Sequence, residues 1–148
     1  MKRFFINFFV DKKRKIIFIC TGNACRSQIA EGLLRNLASE RFSVFSAGSH
    51  PSQVHPMSVA VMEEVGIDIS EYTSDPISDY VDHGIDVVIT VCDNAKEACP
   101  VFPGSAEYIH WSIEDPFNGW DFDPFDLDNF RKVRSDLYRR IKNFLKAN

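Results

Sequence analysis

A chain of 148 residues is long enough for one domain with a proper core, and 45% hydrophobic with 26% charged residues is ordinary for a globular protein. The net charge of -4 argues against a broad nucleic-acid surface, which would be basic. Four cysteines do not make a disulfide scaffold at this size, and no C-x2-C or H-x3-H spacing supports a structural zinc site, so reactive thiols in a reducing cytoplasm are expected.

At the N-terminus Lys2 and Arg3 precede the apolar run Phe4 to Val10, which superficially resembles a short signal peptide. No small-residue cleavage site follows it, only the charged run Asp11 to Lys15, and seven apolar residues are too few to span a bilayer. Residues 1–14 are therefore expected to be a loosely ordered or surface-packed extension, with weak membrane-surface contact as the alternative and no stable insertion. Residues 15–148 are expected to form a single domain.

Lys15 to Cys20 reads as a fully buried strand, rich in isoleucine and bounded by Gly22. A helix over Gln28 to Ala38 follows, with Ile29, Ala30, Leu33, Leu34 and Leu37 as its apolar stripe. Arg41 to Ser46 predicts a second strand closed by Ala47-Gly48, and Pro56 opens a second helix that Gly66 stops. Asp75-Pro76 opens a short helix through Val81. Asp86 to Val91 is a third buried strand ending at Cys92, and Glu107 to Trp111 is a fourth. The polar segment from Asp93 to Ala98 reads as helical. Leu127 to Leu145 is a last helix with the stripe Phe130, Val133, Leu137, Ile141 and Phe144. Strands alternating with helices imply a parallel sheet with right-handed crossovers, and ligands bind such sheets at the carboxyl ends of the strands.

Cys20, Cys92 and the loop after Trp111 all fall on that rim. The stretch Cys20-Thr21-Gly22-Asn23-Ala24-Cys25-Arg26-Ser27 joins a strand to a helix, and five residues separate Cys20 from Arg26. A loop of that length curls around one tetrahedral oxyanion, its N–H groups pointing inward at a helix start. Arg26 adds a planar fork for two oxygens of the same anion. In that field Cys20 is expected to ionise below the free-thiol value of about 8.5 and to act as a nucleophile. Asp115-Pro116, in the loop after the fourth strand, supplies a carboxyl group placed to protonate a departing oxygen. Cys92 and Cys99 are each readable as small core residues. If the segment between them is helical, however, their sulfurs stand two turns apart, about 10 Å, so a bridge would require it to unwind.

The string CTGNACRS, Asp115-Pro116 and the strand order resemble the low-molecular-weight tyrosine phosphatase superfamily. Cys92 with Cys99, the stretch HWSIEDP (His110 to Pro116) and the stretch FRKVRSDL (Phe130 to Leu137) resemble its thioredoxin-coupled arsenate reductases. The resemblance covers about Lys15 to Leu145. It implies a flavodoxin-like three-layer α/β sandwich on a four-stranded parallel sheet, acting as a monomer in the cytoplasm. It further implies a relay. Cys20 attacks arsenate held by the Thr21 to Ser27 loop and Arg26, and Asp115 protonates the departing oxygen. Cys92 then attacks Cys20, and Cys99 attacks Cys92 to leave a Cys92–Cys99 disulfide for thioredoxin. Thr21 and Ser27 are expected to hydrogen-bond the Cys20 sulfur. Phosphate and sulfate would compete with arsenate, and no tightly bound cofactor is expected. Some family members bind potassium, for which Asn23, Glu31, Ser46 and Asp75 are the matching oxygen donors. Cys25 matches a thiol that can protect the nucleophile by a disulfide in phosphatase relatives, and it reads equally as a small packing residue. The alternative is a tyrosine phosphatase working through a phosphocysteine on Cys20. It has no need of Cys92 or Cys99, and Phe117 stands where such phosphatases often carry tyrosine. A non-catalytic binding module fits poorly with intact Cys20, Arg26, Ser27 and Asp115.

Overall fold

Four parallel strands order the chain in the computed structural model, which describes residues 13–148. They are β1 (Arg14–Cys20), β2 (Phe42–Gly48), β3 (Val87–Thr90) and β4 (Glu107–His110), arranged β2-β1-β3-β4. The helices are α1 (Arg26–Ala38), α2 (Pro56–Glu63), α3 (Asp93–Ala98) and α4 (Leu127–Ala147), and they cover both faces of the sheet. β1 is central, so both its faces are enclosed and Ile16 to Ile19 are fully buried. That is the physical reason its sequence is a continuous apolar run instead of an alternation. β4 lies at the edge and keeps its first two residues exposed.

The stripe of α4 (Phe130, Val133, Leu137, Ile141 and Phe144) is buried, as is that of α1 apart from half-buried Leu37. Most boundaries shift by one or two residues from the sequence reading, and three differences have a local cause. Arg14, which that reading places in the extension, opens β1 because it pairs with Phe42 of β2. The helix from Pro56 ends at Glu63, and the chain then turns through Gly66 at φ +76, a conformation in which glycine carries no steric penalty. The short helix after Pro76 is a single 3-10 turn, Ile77–Asp79. The expectation of a loose extension or membrane contact falls on residues 1–12 and lies outside the described residues. Among the described residues no helix is long and apolar enough to cross a membrane.

Both ends of α2 are pinned by side chains. Glu64, capping its C-terminal end, binds Arg131 (2.6 Å) and Arg134 (2.8 Å) of α4. The two guanidinium hydrogen bonds, that of Arg131 first, hold its carboxyl down to about 2. His55 caps the start of α2, its Nδ1 accepting from the Met57 N–H at 3.1 Å.

Candidate active site

The loop between β1 and α1 is held by its carbonyls. Thr21 O accepts from His50 N (2.8 Å), and Gly22 O accepts from Ser52 N (3.1 Å). Asn23 O accepts from Gln28 Nε2 (2.9 Å) and Ser74 Oγ (2.6 Å). Ala24 O accepts from His55 N (3.0 Å) and Ser58 Oγ (3.1 Å), and Cys25 O from Ile29 N (3.0 Å). A trans peptide sets each carbonyl opposite the next N–H. Five carbonyls drawn outward therefore turn the N–H groups of Gly22 to Arg26 inward, which is the cradle an oxyanion needs.

Asn23 is the pivot of that loop. It is fully buried and sits at φ +48, a left-handed conformation that asparagine tolerates better than most residues. Its Nδ2 donates to Ser27 Oγ (2.7 Å) and Ser46 Oγ (3.0 Å), and its Oδ1 accepts from the Asp75 N–H (2.9 Å). Because Ser27 Oγ accepts from Asn23, its own hydrogen is directed at Cys20 Sγ, 2.9 Å away. Ser46 Oγ in turn donates to Glu31. The expected partnership of Ser27 with Cys20 is thus present. That of Thr21 is not: its hydroxyl lies 3.4 Å from Cys92 Sγ, because the loop turns it toward the end of β3.

Arg26 and Asp115 meet at the mouth. Arg26 Nη1 donates to Ile113 O (3.1 Å), and Nη2 lies 3.5 Å from Asp115 Oδ2. Asp115 Oδ1 accepts from the Phe117 N–H (3.0 Å), which fixes the carboxyl at the start of its own turn. Cys20, Gly22, Ala24, Arg26 and Asp115 line a cavity of about 220 Å³, whose far wall is Phe117 and Trp120. His55 holds that wall: its Nε2–H donates to Gly119 O (2.7 Å), and its ring stacks on Trp120 at 5.3 Å.

Cys92 caps α3, with Sγ accepting from the Ala95 N–H at 3.3 Å, and Cys99 ends the same helix. The helix expected between them is what the fold contains, spanning Asp93–Ala98 with Cys92 and Cys99 as its two caps, so about 10 Å of helical rise separates the two positions. All four cysteines are free. Burial pushes the Cys99 thiol up to about 11, and burial pushes Cys25 up to about 12.

Asn23, Glu31, Ser46 and Asp75 form one hydrogen-bonded cluster beneath the loop. Burial raises the Glu31 carboxyl above its ordinary range, and Arg35 Nε sits on it at 2.9 Å. Beside the cluster the buried Gln28 Oε1 has no hydrogen-bond partner among the described residues.

Sequence reasoning assembles the thiols, Arg26 and Asp115 but misses the scaffold. His50, Ser52 and Ser74 read as ordinary loop residues and Ser58 as a residue of the helix that Pro56 opens, and nothing local marks which carbonyl each one holds. Gly48 reads as a strand end. In the fold it pairs with Cys20, and a Cβ there would lie 2.5 Å from Thr21 O.

The family described as low molecular weight phosphotyrosine protein phosphatase matches residues 15–147. An arsenate reductase of Halalkalibacterium halodurans is 42% identical over 132 residues, covering 89% of this chain and 95% of its own. An arsenate reductase solved in a phosphate-binding state superposes with a TM-score of 0.70 at 38% identity, covering 90% of this chain and 98% of that one. The thioredoxin-dependent arsenate reductase of Corynebacterium glutamicum superposes with a TM-score of 0.72 at 32% identity, covering 91% of this chain and 61% of that one. The chain belongs to the low molecular weight phosphotyrosine protein phosphatase family, where the relatives it resembles are arsenate reductases.

Proposed function

We propose that this chain reduces arsenate to arsenite and is recycled by thioredoxin. The observation that carries the reading is the position of Cys92, whose sulfur touches Thr21, the residue next to Cys20, at the head of a helix that ends in Cys99. A phosphatase has no use for that pair.

In the proposed reaction the N–H groups of Gly22 to Arg26 and the Arg26 guanidinium hold three oxygens of arsenate. Cys20 Sγ, kept oriented by the Ser27 hydroxyl, attacks arsenic, and Asp115 gives a proton to the oxygen that leaves as water. Cys92 Sγ then attacks Cys20 Sγ. The S–S bond forms as the S–As bond breaks, and the electron pair stays on arsenic, which departs as arsenite. Cys99 attacks Cys92 and frees Cys20, leaving the Cys92–Cys99 disulfide for thioredoxin. Two electrons reach arsenic and one dithiol supplies them, so the electrons balance.

The resemblance assigns potassium to Asn23, Glu31, Ser46 and Asp75, which would hold the ion by their oxygens, and the bound cation would supply positive charge behind the loop. Every group of the relay lies in one chain, so the enzyme works as a monomer, and its thiols require the reducing conditions of a cytoplasm. Phosphate and sulfate share the shape of arsenate and compete for the cradle. The aromatic wall of Phe117 and Trp120 also admits an aryl phosphate, so slow phosphatase activity accompanies the main reaction.

Thioredoxin-coupled turnover with arsenate tests the proposal. Wild type is expected to cycle many times and Cys99→Ala at most once. Normal cycling by Cys99→Ala removes the relay, and rapid aryl-phosphate cleavage without arsenate turnover leaves a phosphatase.

A further inference from the structure

The relay asks α3 to do two incompatible things. As a helix it keeps Cys92 and Cys99 apart, and to close their disulfide it must unwind. Whatever holds its first turn therefore sets how readily the pair is oxidised. One connection stands out: His110, at the end of β4, receives or gives a hydrogen bond at Nδ1 with Thr90 Oγ1 (2.7 Å) and reaches Asp93 Oδ1 through Nε2 (2.9 Å). Asp93 is the first residue of α3 and directly follows Cys92. The Thr90 side chain is also within 3.5 Å of Ile109 O, to which its hydroxyl can donate. The imidazole is thus seated on two strands and spans to the helix. The His110 hydrogen bond, with Ser112 beside it, holds the Asp93 carboxyl below its ordinary range.

We infer that Thr90, His110 and Asp93 form a latch that stabilises the first turn of α3 in the reduced enzyme and so tunes the Cys92–Cys99 couple. His110 and Asp93 are positioning residues, since neither belongs to the cradle or to the thiol relay. Oxidation of the pair forms one S–S bond and releases two electrons and two protons to an external disulfide. The latch is made in the helical, reduced form and is lost when the turn opens. By linkage it shifts the thiol–disulfide equilibrium toward the dithiol and makes the disulfide easier for its reductant to open. The inference rests on the relay proposed above.

The test equilibrates the full-length protein in dithiothreitol redox buffers and measures hydrogen exchange across residues 93–99 in both states. Asp93→Ala and His110→Ala are each expected to move the equilibrium toward the disulfide by about threefold to fivefold, the scale of an exposed charged pair. Each is also expected to speed exchange in the reduced form alone. Asp93→Asn keeps an acceptor for His110 and is expected to stay within about twofold of wild type. The double Ala variant is expected to match either single one. Additive single effects, or equal shifts for Asp93→Ala and Asp93→Asn, would overturn the latch, because the helix dipole alone would then account for Asp93. Unchanged equilibria with a disulfide that still forms remove the latch and leave the relay. If no Cys92–Cys99 disulfide forms in wild type, both fall. Asp93 has a side chain 79% exposed, so its variants are expected to fold even if His110→Ala does not.

Discussion

Substituting Gly48 by alanine tests how the cradle is held. Gly48 pairs with Cys20 across β1 and β2, and the loop doubles back over it. An added Cβ would meet Thr21 O at 2.5 Å, Asn23 N at 2.9 Å and Asn23 Cβ at 3.1 Å. The first two are main-chain atoms, which cannot swing aside as a side chain can. Either β2 or the loop must shift by a large part of an ångström, an overpacking cost of about 1–3 kcal/mol. The loop is the softer of the two, and a displacement approaching 1 Å in a reacting geometry costs about 100-fold in rate. Gly48→Ala is therefore expected to lose about 2 kcal/mol in urea unfolding and about two orders of magnitude in arsenate turnover. Gly22→Ala supplies the contrast. Gly22 sits inside the sequence motif, yet its φ is not positive and its added Cβ meets only Ser52 Oγ, at an ordinary 3.5 Å, together with the neighbouring Ala24 Cβ. Its unfolding midpoint is expected to match wild type or rise slightly through the lost freedom of the unfolded chain. If Gly48→Ala keeps its stability and turnover while Gly22→Ala loses stability, the loop is not held in the way its contacts imply.

His55→Ala removes a helix cap, a partly buried hydrogen bond to Gly119 O and the ring beneath Trp120, together about 3 kcal/mol. His55→Asn restores a good cap without the tether, so it should recover about 1 kcal/mol while Trp120 fluorescence stays altered; a chemical melt showing equal stability for both variants would refute the division. Glu64 supplies a stability term with a defined pH window. Its folded value is depressed, so the contribution is present above the ordinary value of 4.5 and fades as pH falls toward about 2. The melting temperatures of wild type and Glu64→Gln should differ at pH 6 and converge by pH 2, and a constant gap would exclude the linkage.

The parts of the fold legible in the sequence are those governed by local pattern. The run Ile16 to Ile19, the stripe of α4 and the alternation of strands with helices each report a burial pattern within one segment, and one segment suffices to read it. The thiols, Arg26 and Asp115 are legible because a parallel sheet places strand carboxyl ends on one rim whatever the details. The carbonyl anchors are not. Thr21 O is held by His50 and Asn23 O by Ser74, contacts between separate loops whose pairing depends on the register of β1 with β2. Thr21 shows the same limit: the motif places it beside Cys20 in the chain, and only the packing of β1 against β3 points its hydroxyl at Cys92.

Burial of the thiols carries the last prediction, and it bears on the order of the relay. Cys25 at about 12 and Cys99 at about 11 are both raised by burial, so each stays protonated through neutral pH. The corresponding stability is full below the unfolded thiol value of about 8.5 and is lost as pH climbs through about 11 to 12, so the protein should weaken in that alkaline window. At pH 8 a thiol at about 11 is ionised about one part in a thousand, against about a quarter for a free thiol. Cys99 therefore should not compete with Cys92 for the Cys20–arsenic bond while α3 is intact. In the proposed relay it becomes a nucleophile when the helix opens, after Cys92 has entered its disulfide with Cys20. Mass-resolved alkylation with iodoacetamide at pH 8 checks this. Cys99 should label far more slowly than a peptide thiol and accelerate in urea too dilute to unfold the sheet, whereas Cys25, buried in the wall of the active-site cavity, should label more slowly than a free thiol whether or not α3 is open. Labelling of Cys99 at the free-thiol rate in the folded, reduced protein would mean that burial does not gate it, and the order of attack would have to come from distance alone.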